Sequence, residues 1–174
     1  MQALGLSGSL RAASHNTALL RAAGLSPFAH LREIPPYDED ADVEPLPLAV
    51  AALRARIAAA DAVLIATPEY NASVPGVLKN ALDWASRPFP DNVLRGKPVA
   101  VIGASTGLFG AVWAQSELRK ALRTAGADVL DAELAIPLAG EAFSADGALR
   151  DPAQAEALAA IVGQLAEAAS LIAS

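Results

Sequence analysis

Three segments of this sequence combine polar side chains and glycines in a way that suits ligand binding. The first runs from Gly8 to Asn16 and reads Gly-Ser-Leu-Arg-Ala-Ala-Ser-His-Asn. A phosphate group is best bound by N–H groups at a helix start, short hydroxyl or amide side chains, and a cation. Ser9, Arg11, Ser14 and Asn16 are candidates for those parts. The segment has neither a Gly-x-Gly-x-x-Gly nor a Walker A pattern, so it predicts another kind of phosphate site.

A simpler interpretation of this first segment stays open. Ser14 could do no more than cap a helix, with Arg11 on a solvated surface. His15 is interpreted as a solvated loop residue, because the sequence shows no partner for it in catalysis.

The second segment runs from Thr67 to Gly76 and is stiffened by two prolines. Asn71 and Ser73 can hold a turn through local hydrogen bonds. A rigid backbone suits a planar heteroaromatic ligand, which needs main-chain N–H and C=O groups and no acid or base beside it. The alternative is a structural loop with Tyr70 packed inward and Glu69 in solvent.

The third segment, from Gly103 to Ala111, is built mainly from small residues and glycines. Such a loop lets the backbone approach a ligand closely, and its candidate contacts are Ser105, Thr106 and Gly107. A flexible glycine loop without a ligand is the alternative.

Short apolar runs alternate with helical patterns along the chain. The predicted strands are Ala3 to Ser7, Ala29 to Ile34, Asp61 to Ala66, Lys97 to Ala104 and Asp128 to Ala132, the last with a possible extension to Ile136. The predicted helices are Ser14 to Ala23, Leu48 to Ala59, Gly76 to Ser86, Gly110 to Thr124 and Pro152 to Ala173.

This alternation predicts a single α/β domain over residues 1–174. We expect a doubly wound, five-stranded parallel sheet of flavodoxin-like order 2-1-3-4-5, with helices on both faces. The three polar segments each follow a strand, so they converge at the carboxyl edge, where such sheets bind ligands.

Composition excludes several other functions. The chain has no cysteine, which rules out disulfides, zinc–thiolate sites and thiol nucleophiles, and we predict no metal site. A net charge of −6 with scattered Lys and Arg argues against nucleic-acid binding. No uninterrupted apolar run of about 20 residues is present, so we predict no membrane span. Since the first residues carry no basic run, we expect a cytoplasmic protein.

Two of the segments resemble the NADPH-dependent FMN reductase family, which comprises flavodoxin-like quinone, chromate and azo-dye reductases. The family pattern Gly-Ser-x-Arg-x-x-Ser-x-Asn stands at residues 8–16. The pattern Pro-Glu-Tyr-Asn-x-Ser-x-Pro-Gly-x-Leu-Lys-Asn-Ala-x-Asp-Trp stands from Pro68 to Trp84, with every named position occupied. The third segment departs from the family, which often has a Gly-Gly pair there, and this leaves the roles of Leu108 and Phe109 open.

The resemblance implies that FMN is the cofactor and NAD(P)H the co-substrate. It assigns the FMN phosphate to the first segment, and the flavin ring and ribityl chain to Pro68, Glu69, Tyr70 and Asn71. Ser105, Thr106 and Gly107 would form a third wall. NAD(P)H would reduce the flavin at N5 and leave, and a quinone, chromate or azo compound would then take the electrons, so no side chain is named as catalytic acid or base.

The family also implies a homodimer or homotetramer with FMN near the subunit boundary. Interface candidates are Trp84, Trp113 and the segment Pro88-Phe89-Pro90. An electron-carrying flavodoxin is a rival interpretation, but carriers use a Thr/Ser-x-Thr-Gly-x-Thr phosphate loop that is not found here. A non-catalytic phosphate-binding domain also stays open. A receiver domain would need paired acids at the end of the first strand, where Gly5-Leu6-Ser7 has none.

Overall fold

The computed structural model describes residues 1–172, and its sheet is built on three long parallel strands. These are β1 (Ala3–Ser7), β2 (Ala62–Thr67) and β3 (Pro98–Ala104). Every residue of β2 and β3 is buried, as their unbroken apolar sequences predict for strands covered on both faces. The α/β class and the parallel sheet are therefore confirmed.

Helices cover both faces of the sheet. They are α1 (His15–Ala22), α2 (Leu48–Ala59), α3 (Gly76–Ala85), α4 (Val112–Thr124) and α5 (Pro152–Ile172). The predicted bounds agree to within two residues, and the predicted end of the last helix, Ala173, lies outside the described residues. The start of α4 was predicted too early, at Gly110, because Gly110 and Ala111 adopt left-handed backbone angles, φ 59° and 66°, that a helix cannot contain.

Successive strand residues alternate between two cores, because side chains of a strand point to opposite faces. The core under α2, α3 and α4 includes Leu6, Leu53, Ile65, Leu78, Val101 and Leu118. The core under α1 and α5 includes Leu19, Leu20, Leu64, Ile102, Ile161 and Leu165.

The predicted second strand, Ala29 to Ile34, is wrong. The segment that follows α1 forms a single bridge with β1, between Pro27 and Gly5, where Phe28 N–H donates to Gly5 O at 2.8 Å. It then forms a short 3₁₀ helix, Leu31–Glu33. Leu31 and Ile34 are both buried, and their three-residue spacing is that of a turn rather than of an alternating strand. Position 2 of the predicted order 2-1-3-4-5 is thus reduced to a single bridge.

The predicted fifth strand is split in two. β4 (Asp128–Val129) pairs with the start of β3, and β5 (Ala135–Ile136) pairs with its end. In the gap, Asp131 and Glu133 turn to Arg123 and Arg119 of α4 and form ion pairs with them at 2.7 and 3.3 Å. Apart from these corrections the predicted strand order holds.

The prediction that Trp84 lies at a subunit interface is wrong. Its side chain is fully buried, its Nε1–H donates to Pro35 O at 2.8 Å, and the edge of its ring contacts Tyr37. It belongs to the core of the molecule. The other candidates, Phe89 and Trp113, are 62% and 48% exposed.

The last helix, α5, is long and apolar enough to cross a membrane by length and composition, with a mean hydropathy of 1.4. One such helix is weak evidence of a membrane span. Its buried stripe, Leu158, Ile161, Leu165 and Ala169, packs on the sheet, as a core helix does.

Candidate functional site

The first polar segment bends from β1 into α1 at the carboxyl edge of the sheet. Ser14 is the N-cap of α1, and its Oγ accepts a hydrogen bond from Thr17 N–H at 3.2 Å. The capping role that the sequence left open is therefore present. The N–H groups of the first two helical residues, His15 and Asn16, have no partner within the helix and can donate hydrogen bonds to an anion.

Asn16 joins the first and third segments. Its Nδ2 donates to Ala104 O, and its Oδ1 accepts from Ala104 N–H, both at 2.9 Å and both buried. These two bonds link residues 88 positions apart. They hold the start of α1 against the end of β3, so the two loops form one rigid edge.

Arg11 is exposed at the same edge. Among residues 1–172, no carboxylate forms an ion pair with its guanidinium group. An unpaired guanidinium beside free helical N–H groups is a donor set that fits a phosphate.

The second polar segment makes a tight turn beside this edge. Tyr70 and Ser73 exchange backbone hydrogen bonds of 3.2 and 3.1 Å across Asn71 and Ala72, whose φ angles are 54° and 58°. Both central residues are left-handed, which is the geometry of a two-residue type I′ turn. Tyr70 is 54% exposed, so it does not pack inward as the structural alternative supposed.

Glu69 fastens this segment to α4. Its Oε2 accepts the N–H groups of Trp113 and Ala114, at 3.0 and 3.1 Å, in the first turn of that helix. Ser73 Oγ also donates to the Glu117 carboxylate of α4, at 2.6 Å. Glu69 is thus bound within the protein and not free in solvent.

The third polar segment is held by several local hydrogen bonds. Ser105 O accepts from Ala139 N–H, and Ser105 Oγ accepts from Gly107 N–H, at 3.0 and 3.1 Å. Behind it, a Cβ on Gly103 would lie 2.8 Å from Gln115 Nε2 and 3.0 Å from Thr67 O, so a larger residue there would force its neighbours to shift. Gln115 is fully buried, and its Oε1 has no hydrogen-bond partner among residues 1–172.

A cavity of about 240 Å³, here called the edge cavity, opens where the three segments meet. Its lining residues are Ser9, Arg11, Ser14, His15, Asn16, Pro68, Glu69, Tyr70, Ala104, Ser105 and Thr106. Of the predicted contacts, Asn71 and Gly107 lie beside the cavity and not in its lining. Three larger grooves, of about 430, 500 and 810 Å³, carry none of the predicted contacts.

His15 also lines the cavity, so the prediction of a solvated loop residue is wrong: it is the first residue of α1. It is partly buried and its ring lies parallel to that of Phe143, with 6.3 Å between centroids. Burial, and then the positive charge of Arg11, lower the pKa of His15 below its usual value. Its position between Ser14 and Asn16, on the first helical residue, is a sequence signal that could have indicated a place in the cavity.

The edge cavity fits one end of FMN. It is smaller than the roughly 300 to 1,000 Å³ usual for ligand pockets, so it can hold a phosphate and part of a chain but not a whole flavin. The ring would extend over the open edge between the second and third segments. Residues 1–172 present no group of three or more His, Asp or Glu side chains placed to hold a metal ion.

Residues 1–141 match the sequence model of a family described as NADPH-dependent FMN reductase. An NAD(P)H-dependent FMN reductase of Pseudomonas aeruginosa is 48% identical over 159 residues, which cover 87% of this chain and 85% of that protein. A quinone reductase of Escherichia coli K12 is 42% identical over 131 residues, covering 70% of this chain and 69% of that protein.

Solved structures agree. A flavoenzyme NAD(P)H:acceptor oxidoreductase from Paracoccus denitrificans superimposes with a TM-score of 0.85, at 37% identity and with 98% of each chain covered. An archaeal flavodoxin superimposes with a TM-score of 0.61 at 14% identity, covering 98% of this chain and 99% of that one, which shows the flavodoxin-like fold alone. The predicted fold, the enzyme class and the dependence on FMN and NAD(P)H are confirmed: this chain belongs to the NADPH-dependent FMN reductase family.

Proposed function

We propose that the protein binds FMN with its phosphate in the edge cavity and passes electrons from NAD(P)H to a small acceptor by a ping-pong mechanism. The observation that carries this proposal is the donor set at one end of the cavity. There the guanidinium group of Arg11, which has no ion-pair partner among residues 1–172, lies with the N–H groups at the start of α1 and the Ser9 hydroxyl.

When bound, FMN would accept a hydride from NAD(P)H and deliver electrons to the acceptor. The residues of the chain position it. Arg11 and the start of α1 hold the phosphate, and Pro68, Tyr70 and the backbone of Ser105 and Thr106 border the remainder. Asn71 and Gly107 would reach only the ring, where it leaves the cavity.

Proton transfer by a side chain has little support at this site. The Glu69 carboxylate, which lines the cavity, already accepts two backbone N–H groups of α4. Such a group anchors a loop and is a poor candidate for a general base. This supports a mechanism in which the protein orients its ligands and no side chain acts as a catalytic acid or base.

Quinones are the acceptors that the surface favours. Four large side chains are exposed at this edge: Tyr70, Leu108, Phe109 and Trp113. The ring centroids of Phe109 and Trp113 are 5.0 Å apart. A flat apolar acceptor can pack on such a surface, whereas chromate, a small anion, gains little from it. An azo compound is flat and aromatic and would also fit.

We further propose that the protein is a cytoplasmic homodimer or homotetramer. Exposed apolar residues support self-association, Phe89 and Trp113 among them. Sedimentation velocity at several concentrations would test it, and a monomer at every concentration would contradict it.

The test of function follows the visible spectrum of the protein reconstituted with FMN, under anaerobic conditions. We expect NADPH or NADH to bleach the flavin bands and a quinone to restore them. Repeating the titration with chromate and with an azo dye ranks the acceptors. Adding quinone after free nicotinamide is removed tests the ping-pong order, because the second half-reaction should proceed without it.

Each other outcome has a definite meaning. Bound flavin that neither nicotinamide bleaches would favour an electron carrier, and absence of flavin binding would contradict the proposed site and its function together.

A further inference from the structure

His15 has chemistry at the edge cavity that the proposed function does not use. It lines the cavity together with Arg11 and Ser9. The chain contains two histidines, and they differ. His30 lies on the surface with its Nδ1 3.1 Å from the Glu33 carboxylate, whereas the ring nitrogens of His15 meet no hydrogen-bonding group among residues 1–172.

Burial, and then the positive charge of Arg11, lower the pKa of His15 in the ligand-free protein. Across the cavity stand Tyr70 and Glu69, whose carboxylate is held by α4. A second cation in the cavity is therefore unfavourable until an anion enters.

The segment behind the His15 ring also carries charged residues. It carries Phe143, Glu141, Asp146 and Arg150, and Arg150 Nε donates to Phe143 O at 3.0 Å. Asp146 accepts a hydrogen bond from Ser144 Oγ. Of the charged groups around the ring, Arg11 is the one that lowers the pKa of His15.

A bound phosphate monoester would raise the pKa of His15, because its own second pKa is about 6 and it enters the cavity as a dianion at neutral pH. Two negative charges beside the ring favour the imidazolium form. Burial, which opposes ionisation in the empty cavity, then strengthens the attraction between the ring and the phosphate.

We propose that His15 is a phosphate-binding residue of the edge cavity that takes up a proton from solvent as the cofactor's phosphate enters. This inference rests on the proposed function, since it takes the phosphate of FMN as the ligand. It makes FMN affinity increase as pH falls from about 8.5 to about 6.5. Below about 6 the phosphate itself gains a proton and the advantage declines.

Calorimetric titration of the ligand-free protein with FMN tests this directly. Measurements at pH 7 in two non-phosphate buffers of different ionisation enthalpy give the number of protons taken up. We expect a net uptake in the wild type and none in His15→Gln. Since one unit of pKa corresponds to a tenfold change in binding, His15→Gln should bind FMN about tenfold more weakly at pH 6.5 and nearly as tightly as wild type at pH 8.5.

Two controls isolate the phosphate and the residue. Riboflavin, which lacks the phosphate, should bind His15→Gln and the wild type alike. His30→Gln, which changes the histidine outside the cavity, should keep the wild-type proton uptake. In the wild type, the NMR titration of the His15 ring gives its pKa with and without FMN and needs no variant. We expect that pKa to rise on binding.

A His15 pKa that stays the same or falls on binding, or equal proton uptake in wild type and His15→Gln, would overturn the inference. If FMN binds and Arg11→Ala weakens it while His15→Gln does not, this inference fails and the proposed function stands. If the wild type does not bind FMN, the proposed function itself fails.

Discussion

Arg11 and Asn16 come from the same nine-residue pattern but do different work. Arg11 has no ion-pair partner among the described residues and faces the cavity. Asn16 uses both ends of its amide on the backbone of Ala104. At the scale of residues, Arg11 is available to a ligand, whereas Asn16 holds the site together. Replacing Arg11 should therefore affect binding, and replacing Asn16 should affect stability.

Replacing Arg11 by alanine should weaken FMN binding by about 1.5 to 3 kcal/mol, the magnitude of a hydrogen bond to a charged group. Folding should be unaffected, because the side chain is exposed and unpaired. Fluorescence quenching of FMN measures the affinity. Arg21→Ala, on the exposed side of α1 outside the cavity, is the matched control and should bind normally. Equal affinities for both variants would exclude Arg11 from phosphate binding.

Replacing Asn16 by alanine should instead destabilise the fold, by about 2 to 3 kcal/mol, because it leaves a buried N–H and a buried C=O of Ala104 unpaired. Urea unfolding measures this. Asn71→Gly, in the exposed turn where a positive φ suits glycine, serves as control and should change stability little. A stable Asn16→Ala protein would mean that water replaces both bonds.

At the scale of elements, the site depends on how loops are fastened to helices and strands. Glu69 ties the second loop to α4, and Asn16 ties α1 to the end of β3. Gly110 contributes in another way, because its lack of a side chain lets β5 pack against the third loop. A Cβ there would lie 2.7 Å from Ala135 C and from Ile136 N, so β5 can pass beside the third loop only because position 110 is glycine.

Gly110→Ala should therefore destabilise the protein by about 3 kcal/mol or more, through backbone overlap together with a positive φ of 59°. Thermal or urea unfolding gives the change. Gly163→Ala is the contrasting variant, because its Cβ would meet nothing within 4 Å inside α5. It should stabilise by roughly 0.5 to 1 kcal/mol, from helix propensity. Similar effects at the two positions would contradict this account.

For the whole molecule, His15 links global stability to pH. Its pKa is lowered in the folded, ligand-free protein, so the unfolded chain binds more protons near its usual pKa of about 6.5. The free energy of unfolding must therefore increase with pH through this region. Above about pH 6.5 His15 no longer opposes folding, and below that value its protonation in the unfolded chain destabilises the folded protein.

His15→Gln should thus gain stability relative to the ligand-free wild type as pH is lowered from 7.5 to 5.5. Differential scanning calorimetry at several pH values measures the difference in Tm. With FMN bound, the proposed proton uptake reverses the sign, and the wild type should be the more stable of the two at pH 6.5. A Tm difference that does not vary with pH would show that His15 is unperturbed in both states.

The sequence by itself determined the parts that local pattern controls. Buried apolar runs specify β2 and β3, because a strand covered on both faces has few polar positions. Ser14 specifies the start of α1, since a cap acts within three residues. The family motifs at residues 8–16 and from Pro68 to Trp84 specified most of the cavity lining and the FMN reductase family.

The tertiary structure alone decided what depends on contacts between distant segments. The Asn16 link to Ala104 spans 88 residues, and no local pattern encodes it. Residues 29–34 are apolar enough for a strand but pack as a turn against the core, and the fifth strand breaks where Asp131 and Glu133 pair with α4. His15 looked solvated because burial and the charge of Arg11 act through space, and both exist only once the chain has folded.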